Sequence, residues 1–262
     1  MRIRCRLPDC WKEEKPKKKL YKAERKDNIG FSIEWENTYQ AGAHNSVWPW
    51  SEVVSLTSRY FRGDKTGLRV LELGCGAGAN IPFFAAINAE YYGIEGSSTQ
   101  VKRLQKQYME PSCADECLEK EDKKQINVSV GDFTKALPFA GEFDLILDRS
   151  SVTHNNTADI CKAIALAYEK LRKGGYYFGL DWFSTNFGIF SDSEEVYDVI
   201  DDHTRVFHSG YFEGLGNVHF SDADHIQELF QQMTMIELYE KVSIYTIPKS
   251  KRIAHWSFVA QK

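Results

Sequence analysis

Val70-Leu71-Glu72-Leu73-Gly74-Cys75-Gly76-Ala77-Gly78 reads as a buried strand that runs directly into a glycine-rich turn. The strand, Leu68–Leu73, is short and almost wholly apolar, as expected of a strand covered on both faces. The turn then opens a helix that reaches about Ile87. In an open parallel sheet, ligands bind where the chain leaves the carboxyl ends of the strands. Glycines there let the backbone turn tightly and let a ligand approach without Cβ interference.

Working outward, strands and helices alternate. Tyr91–Ile94, Ile126–Val130, Phe143–Leu147 and Tyr176–Leu180 read as further buried strands. Ser97–Tyr108 reads as a helix. Thr157–Leu171 is an amphipathic helix with Ile160, Ile164, Leu166, Ala167 and Leu171 as its apolar stripe, closed by Gly174-Gly175. Asp222–Gln232 reads as a last helix. Met235–Thr246 and Ile253–Ala260 read as an antiparallel hairpin at the sheet edge, joined by Pro248-Lys249-Ser250. This alternation predicts an α/β, doubly wound, mostly parallel seven-stranded sheet with an antiparallel C-terminal strand. Three regions follow: a basic N-terminal arm at 1–30, a helical lid at 31–66 and a cofactor-binding domain at 67–262. That domain carries a substrate-side insertion at about 182–219. Within the lid region, residues 31–46 are mixed, and a helix with Pro49 in its first turn begins after Trp48.

The 262 residues carry a formal charge of −4, unevenly spread. Residues 1–30 hold eleven Lys/Arg against five Asp/Glu, +6, which leaves −10 on the remainder. The run through Lys12, Lys15, Lys17, Lys18, Lys19, Lys22, Arg25 and Lys26 is either a solvated arm or a docking segment for an anionic partner. The acidic body argues against a broad nucleic-acid footprint. No apolar run approaches the ~18 residues of a membrane span. No apolar leader follows Met1, so the reading is a cytoplasmic protein. Cys5, Cys10, Cys75, Cys113, Cys117 and Cys161 do not make a disulfide framework in that setting. Cys113 and Cys117 lack the two further ligands that zinc requires, so no metal is expected.

The turn satisfies G-x-G-x-x-A through Gly74, Gly76 and Ala79, the dinucleotide pattern, so a nicotinamide oxidoreductase is a rival reading. Glu95 ends the second strand, where a carboxylate accepts both hydroxyls of a ribose. Three features favour another cofactor. Glu72 would sit badly beside a pyrophosphate but suits an α-ammonium. Gly131-Asp132-Phe133 follows the third strand, where a carboxylate and a backbone amide read an adenine edge; Asp132 could equally cap the next turn. Lys173-Gly174-Gly175 precedes the fifth strand.

Glu72-Leu-Gly-Cys-Gly-Ala-Gly, Gly93-Ile-Glu-Gly-Ser, Gly131-Asp-Phe, Phe143-Asp-Leu-Ile-Leu-Asp and Leu171-Arg-Lys-Gly-Gly, in this order, resemble the motifs of class I S-adenosylmethionine-dependent methyltransferases. The resemblance covers residues 68 to about 182. It implies S-adenosylmethionine as cofactor. Gly74, Gly76 and Gly78, with Cys75, would line its methionine and ribose portion, and Glu95 and Gly96 would hold the ribose. Gly131, Asp132 and Phe133 would contact the adenine. Glu72 and Asp148 would face the methionine amino group.

The acceptor is less legible. Asn/Asp-Pro-Pro-Tyr and Pro-Cys, the marks of base or Gln amino-group and cytosine C5 methylation, are absent after the fourth strand. Instead the strand runs into Asp148-Arg149-Ser150-Ser151-Val152-Thr153-His154. His154 is a candidate general base toward a hydroxyl, or a residue that packs the loop. Asp148 is a candidate to orient the reacting group. Arg149, Trp182, Arg205, His208 and Tyr211 are candidate substrate contacts, although aromatics in the insertion also suit a small core of their own. His44, Trp48 and Trp50 are candidate lid residues. The spacing Trp35…Tyr39…Gly42…His44…Trp48-Pro-Trp50 loosely resembles bacterial small-molecule methyltransferases of surface-carbohydrate pathways. It implies O-methylation of a small-molecule acceptor, a sugar or sugar-linked group. The alternatives are an RNA or protein methyltransferase docking through the basic arm, the oxidoreductase, and a cofactor-binding partner without activity.

Overall fold

A computed structural model describes residues 33–109, 125–189, 195–247 and 251–262. The basic arm, the Cys113–Cys117 excursion and the Pro248–Ser250 connection lie outside the described residues.

The five expected parallel strands form: β1 (Arg69–Leu73), β2 (Glu90–Glu95), β3 (Ile126–Val130), β4 (Phe143–Arg149) and β5 (Leu171–Phe183). Their helices are α2 (Ser51–Tyr60), α3 (Ile81–Ala86), α4 (Ser98–Tyr108) and α5 (Thr157–Lys170), preceded by α1 (Ile33–Gln40). A small antiparallel sheet follows: β6 (Tyr197–Val199), β7 (Thr204–Phe207) and β8 (Asn217–His219). The chain ends with α6 (Ala223–Leu229), β9 (Thr234–Tyr245) and β10 (Lys251–Gln261). The main sheet has the order β3-β2-β1-β4-β5-β10-β9. β10 is the one antiparallel strand in it, pairing with both β5 and β9.

Successive β1 residues serve opposite faces. Val70 packs with Phe84, Tyr91 and Leu104 on one side. Leu71 and Leu73 pack with Ile146, Ile160 and Ile164 on the other. Both faces are thus covered, and the strand order reverses between β1 and β4, where the connections diverge to opposite sides.

Four readings need correction. Residues 33–40 are helical although none is buried: α1 is docked by Glu36, which accepts from Thr99 at the start of α4, and by the Trp35 ring against His154, rather than by an apolar stripe. Pro49 lies before the first turn of α2, whose N-cap is Trp50. Gly174-Gly175 does not close α5. It lies inside β5, at a register shift against β4, where Gly174 (φ +77°) donates to the Lys262 carbonyl at 2.7 Å. Trp182 and Phe183 belong to β5, so the insertion begins later than expected. It builds its own core of Phe187, Phe207, Phe212, Val218 and Phe220 against Phe183. Three histidines meet where it borders α6. His203 stacks on His225 at 3.5 Å between ring centroids, and His219 Nε2 lies 3.1 Å from His225 Nε2. Among the described residues no cluster fit to hold a metal ion is present, and no helix is long and apolar enough to cross a membrane.

Candidate functional site

A cavity of about 830 Å³ opens over the carboxyl ends of β1–β5. Its first half is built by the glycine turn. Gly74 (φ +67°) takes a backbone conformation that L side chains rarely adopt, and a Cβ there would stand 2.3 Å from Ser151 Oγ. The Ser151 hydroxyl donates instead to the Gly74 carbonyl at 3.0 Å, locking the turn against the β4 loop. Glu95 is 6% exposed. One of its carboxylate oxygens accepts from the Gly76 amide at 2.9 Å, the other from the Ser97 amide at 2.8 Å. Burial pushes its pKa up, and these amide bonds oppose that. Each oxygen keeps a second lone-pair direction for a ligand hydroxyl.

Glu72 lines the same cavity. It accepts from Asn80 at 2.8 Å and from the Tyr91 hydroxyl at 2.5 Å. Burial pushes its pKa to about 7 against those bonds. A ligand cation beside it would restore the carboxylate. Asp132 and Phe133 close the far end. Asp132 also caps the turn it begins, accepting from the Thr134 amide at 2.9 Å.

The second half lies over β4, β5 and β10. His154 sits in a short 3₁₀ turn with its ring against Trp35 (4.9 Å between centroids) and Phe183 (5.7 Å). Its Nδ1 is 3.0 Å from the Asn217 carbonyl. A carbonyl only accepts, so Nδ1 carries the hydrogen and Nε2 is left with its lone pair. Burial pulls the pKa of His154 down to about 4, so the ring is neutral near pH 7. Arg149 pairs with Asp181 at 2.7 Å and lies 3.4 Å from the ring centroid of Trp50. Asp181 also pairs with Lys241 at 2.6 Å, and Lys241 with Glu52 at 2.5 Å. Ser150 and Asp181 both take φ +54° at the strand ends, a conformation that costs non-glycine residues about 1–2 kcal/mol. Such strain persists where surrounding contacts over-determine it, and it clusters at functional sites.

A methyltransferase-domain family model matches residues 49–255. The chain belongs to the methyltransferase-domain family. It is a class I enzyme, and S-adenosylmethionine is its cofactor. No curated protein sequence matches the methyltransferase at a significant level. Solved structures share its fold at low identity. TehB from Haemophilus influenzae has a TM-score of 0.56 at 16% identity, covering 87% of this chain and 67% of its own. A Burkholderia thailandensis 1,6-didemethyltoxoflavin N1-methyltransferase, with its acceptor and S-adenosylhomocysteine bound, has a TM-score of 0.56 at 12% identity, covering 88% and 84%. An S-adenosylmethionine-dependent methyltransferase from Clostridium acetobutylicum has 0.53 at 13%, covering 87% and 95%.

Of the residues singled out in the methyltransferase sequence, the cavity gathers Glu72, Gly74, Cys75, Gly76, Glu95, Gly96, Gly131, Asp132, Phe133, Arg149, His154 and Tyr211. His44 and Trp50 line it too, whereas Trp48 is 77% exposed outside it. The others fall elsewhere. Gly78 (φ +76°) faces the core, where a Cβ would meet Leu104 at 2.6 Å. Asp148 is fully buried beneath the site. It accepts from the Ser151 and Val152 amides at 3.0 Å each and from the Trp182 indole at 2.6 Å. Its carboxylate shapes the β4 loop and does not reach the cavity. Trp182, equally buried, is a core residue. Arg205 donates to the carbonyls of Asp201, Asp202 and Thr204, and His208 pairs with Asp198 at 2.9 Å. Both are consumed by the small sheet.

Sequence reasoning missed Asp181, Phe183, Phe212 and His255, all of which line the cavity, as do Trp35 and Tyr39 of the spacing noted ahead of β1. Asp181 and Phe183 were hidden by ending β5 too early. His255 opposes Phe183 across the β5–β10 ladder. An antiparallel last strand enters the sheet at the ligand edge, and that rule, applied to the hairpin, points to it.

Proposed function

We propose that the enzyme transfers the methyl group of S-adenosylmethionine to a hydroxyl of a small polar ring, of the sugar class. The sulfonium supplies the methyl group and the leaving-group ability. The glycine turn would cradle the methionine and ribose portion, Glu95 would accept from the ribose hydroxyls, and Glu72 would face the α-ammonium. Asp132 and Phe133 would read the adenine. Trp35, Tyr39, His44 and Trp50, from the segment ahead of β1, would form a lid.

The observation that carries the hydroxyl reading is His154. Its Nδ1 faces the Asn217 carbonyl, which only accepts, so the lone pair falls on Nε2, in a ring that lines the cavity. As the hydroxyl oxygen forms its bond to the methyl carbon, the C–S bond breaks and the O–H proton becomes strongly acidic. Even a weakly basic imidazole can then take it. Aromatic side chains in the lining, Trp35, Trp50 and the edge of Phe183, with polar groups between them suit a ring that packs on its C–H face and hydrogen-bonds at its edge. The toxoflavin-precursor enzyme, built on the same fold, supports a small-molecule acceptor.

The test uses the full chain, S-adenosylmethionine carrying a ¹³C methyl group, and a panel of methyl glycosides, amino sugars, bulk RNA and protein. The expected product is an O-¹³CH₃ ether on a glycoside. Label confined to nitrogen, RNA or protein would overturn the reading. His154→Ala should lower turnover ~100-fold or more with KM changed only a few-fold. Normal turnover in that variant removes His154 as the base.

A further inference from the structure

Besides His154 and the lid residue His44, the cavity holds an imidazole that the reaction as described does not use. His255 of β10 lines the cavity, with its ring against Phe183 (5.6 Å between centroids) and Phe187 (5.7 Å). Neither of its ring nitrogens has a hydrogen-bond partner among the described residues. Phe183 therefore touches both histidines, with His154 5.7 Å away and His255 5.6 Å away between ring centroids. Asp181 lines the same wall, and its charge acts on the His255 ring.

Asp181 is fixed to an unusual degree. Its backbone is left-handed at φ +54°, and its carboxylate is clamped from both sides by Arg149 and Lys241. Burial raises its pKa, but the two cations outweigh that and hold it low, so it stays a carboxylate. A carboxylate only accepts hydrogen bonds, so the ligand must bring a donor. The two cations are already neutralised by Asp181 and Glu52, which argues against an anion site here. His255, drawn below its ordinary pKa chiefly by burial, offers one donor and one acceptor. An acceptor-only group beside a donor–acceptor group matches the two faces of an alcohol.

We propose that Asp181 and His255 form a second hydroxyl-recognition dyad, so that the acceptor is a polyhydroxylated ring held beside the Phe183 edge. One hydroxyl is methylated beside His154, and another is held at Asp181 and His255. The dyad sets which hydroxyl receives the methyl group. His255 is a specificity-determining residue, and Arg149 and Lys241 are positioning residues that act through Asp181. This rests on the hydroxyl-methylating reading above.

The test compares a glycoside accepted by the wild-type enzyme with its complete set of monodeoxy analogues. Sites built to hydrogen-bond a hydroxyl reject ligands that lack it. Wild-type kcat/KM should therefore fall on the order of 100-fold for one analogue that still carries the methylated hydroxyl. His255→Leu should lower kcat/KM for the parent to near that analogue's level, mainly through KM, and abolish the discrimination. His255→Gln, which keeps hydrogen-bonding groups, should recover part of it. S-Adenosylhomocysteine affinity and Tm serve as folding controls in both variants. A wild-type enzyme that methylates the parent but ignores every other deoxygenation overturns the dyad alone. So does a folded His255→Leu variant that discriminates as well as wild type. A wild-type enzyme that methylates no glycoside overturns the hydroxyl reading, and the dyad falls with it.

Discussion

Replacing Asp148 by Asn separates a structural carboxylate from a catalytic one. Asp148 is fully buried, and its two oxygens take three donors: the Ser151 and Val152 amides at 3.0 Å each and the Trp182 indole at 2.6 Å. An Asn of the same shape keeps one oxygen for the two backbone amides, but its NH₂ group then faces the indole N–H, donor against donor. One charge-assisted bond is lost and a buried indole donor is orphaned, a cost of about 2–3 kcal/mol. The neutral amide escapes the desolvation that raises the Asp148 pKa to about 7, which offsets part of that cost. The balance is ~2 kcal/mol in urea unfolding. Trp182→Phe removes the opposing donor, so the double variant should cost ~1–2 kcal/mol less than the sum of the singles. Protonation adds a signature. With the folded pKa above the unfolded one, the stability linked to this proton is fully present below about pH 4 and lost as pH rises through about 7. The gap between wild type and Asp148→Asn should therefore narrow from pH 4 to 7. S-Adenosylhomocysteine affinity, measured by calorimetry, should change less than about tenfold, because the carboxylate does not line the cavity. Additivity within ~0.5 kcal/mol, or a collapse of cofactor affinity in a folded variant, would refute the reasoning.

Other perturbations report on other parts of the molecule. Glu95→Ala removes the carboxylate held by Gly76 and Ser97 and should weaken S-adenosylhomocysteine binding by ~1–3 kcal/mol, roughly 5- to 150-fold; unchanged affinity in calorimetry counts against the ribose assignment. Gly74→Ala combines a positive φ with a Cβ 2.3 Å from Ser151 Oγ and should lower stability by at least about 1–2 kcal/mol in urea unfolding, with weakened cofactor binding; a wild-type midpoint contradicts that geometry. His219, pulled by burial to about 3, contributes stability that is present above its unfolded pKa and lost as pH falls toward 3. The stability difference between wild type and His219→Gln should shrink as pH drops from 6.5, and a pH-independent difference would show that the ring is not buried neutral.

The sheet was legible because its strands are continuous apolar runs that end in turn chemistry. Val70–Gly78 and Glu95 were legible in the same way, since a turn after a buried strand and a carboxylate at the next strand's end lie at fixed positions in this topology. What escaped depended on tertiary partners. Ile33–Gln40 forms a helix held by Glu36 on Thr99, a contact with no periodic signature. Asp148 and Trp182 read as site residues because strand ends carry both kinds of side chain. The sequence does not reveal that each satisfies the other underneath. Gly174-Gly175 resembled a helix stop and concealed where β5 begins, and the polar Asp181 concealed that the strand runs on to Phe183. Arg205 and His208 looked like free polar groups until the small sheet supplied their partners. His255 required knowing that β10 enters antiparallel beside Phe183.

The most direct test of the central claim is calorimetry of the full chain with S-adenosylhomocysteine and, separately, with NADH. The glycine turn fits either cofactor class by pattern, and Glu72, facing the cavity two residues before Gly74, favours an ammonium over a pyrophosphate. The account predicts saturable one-to-one binding of S-adenosylhomocysteine, weakened in Glu72→Gln, and no measurable binding of NADH. Binding of NADH without S-adenosylhomocysteine would contradict it.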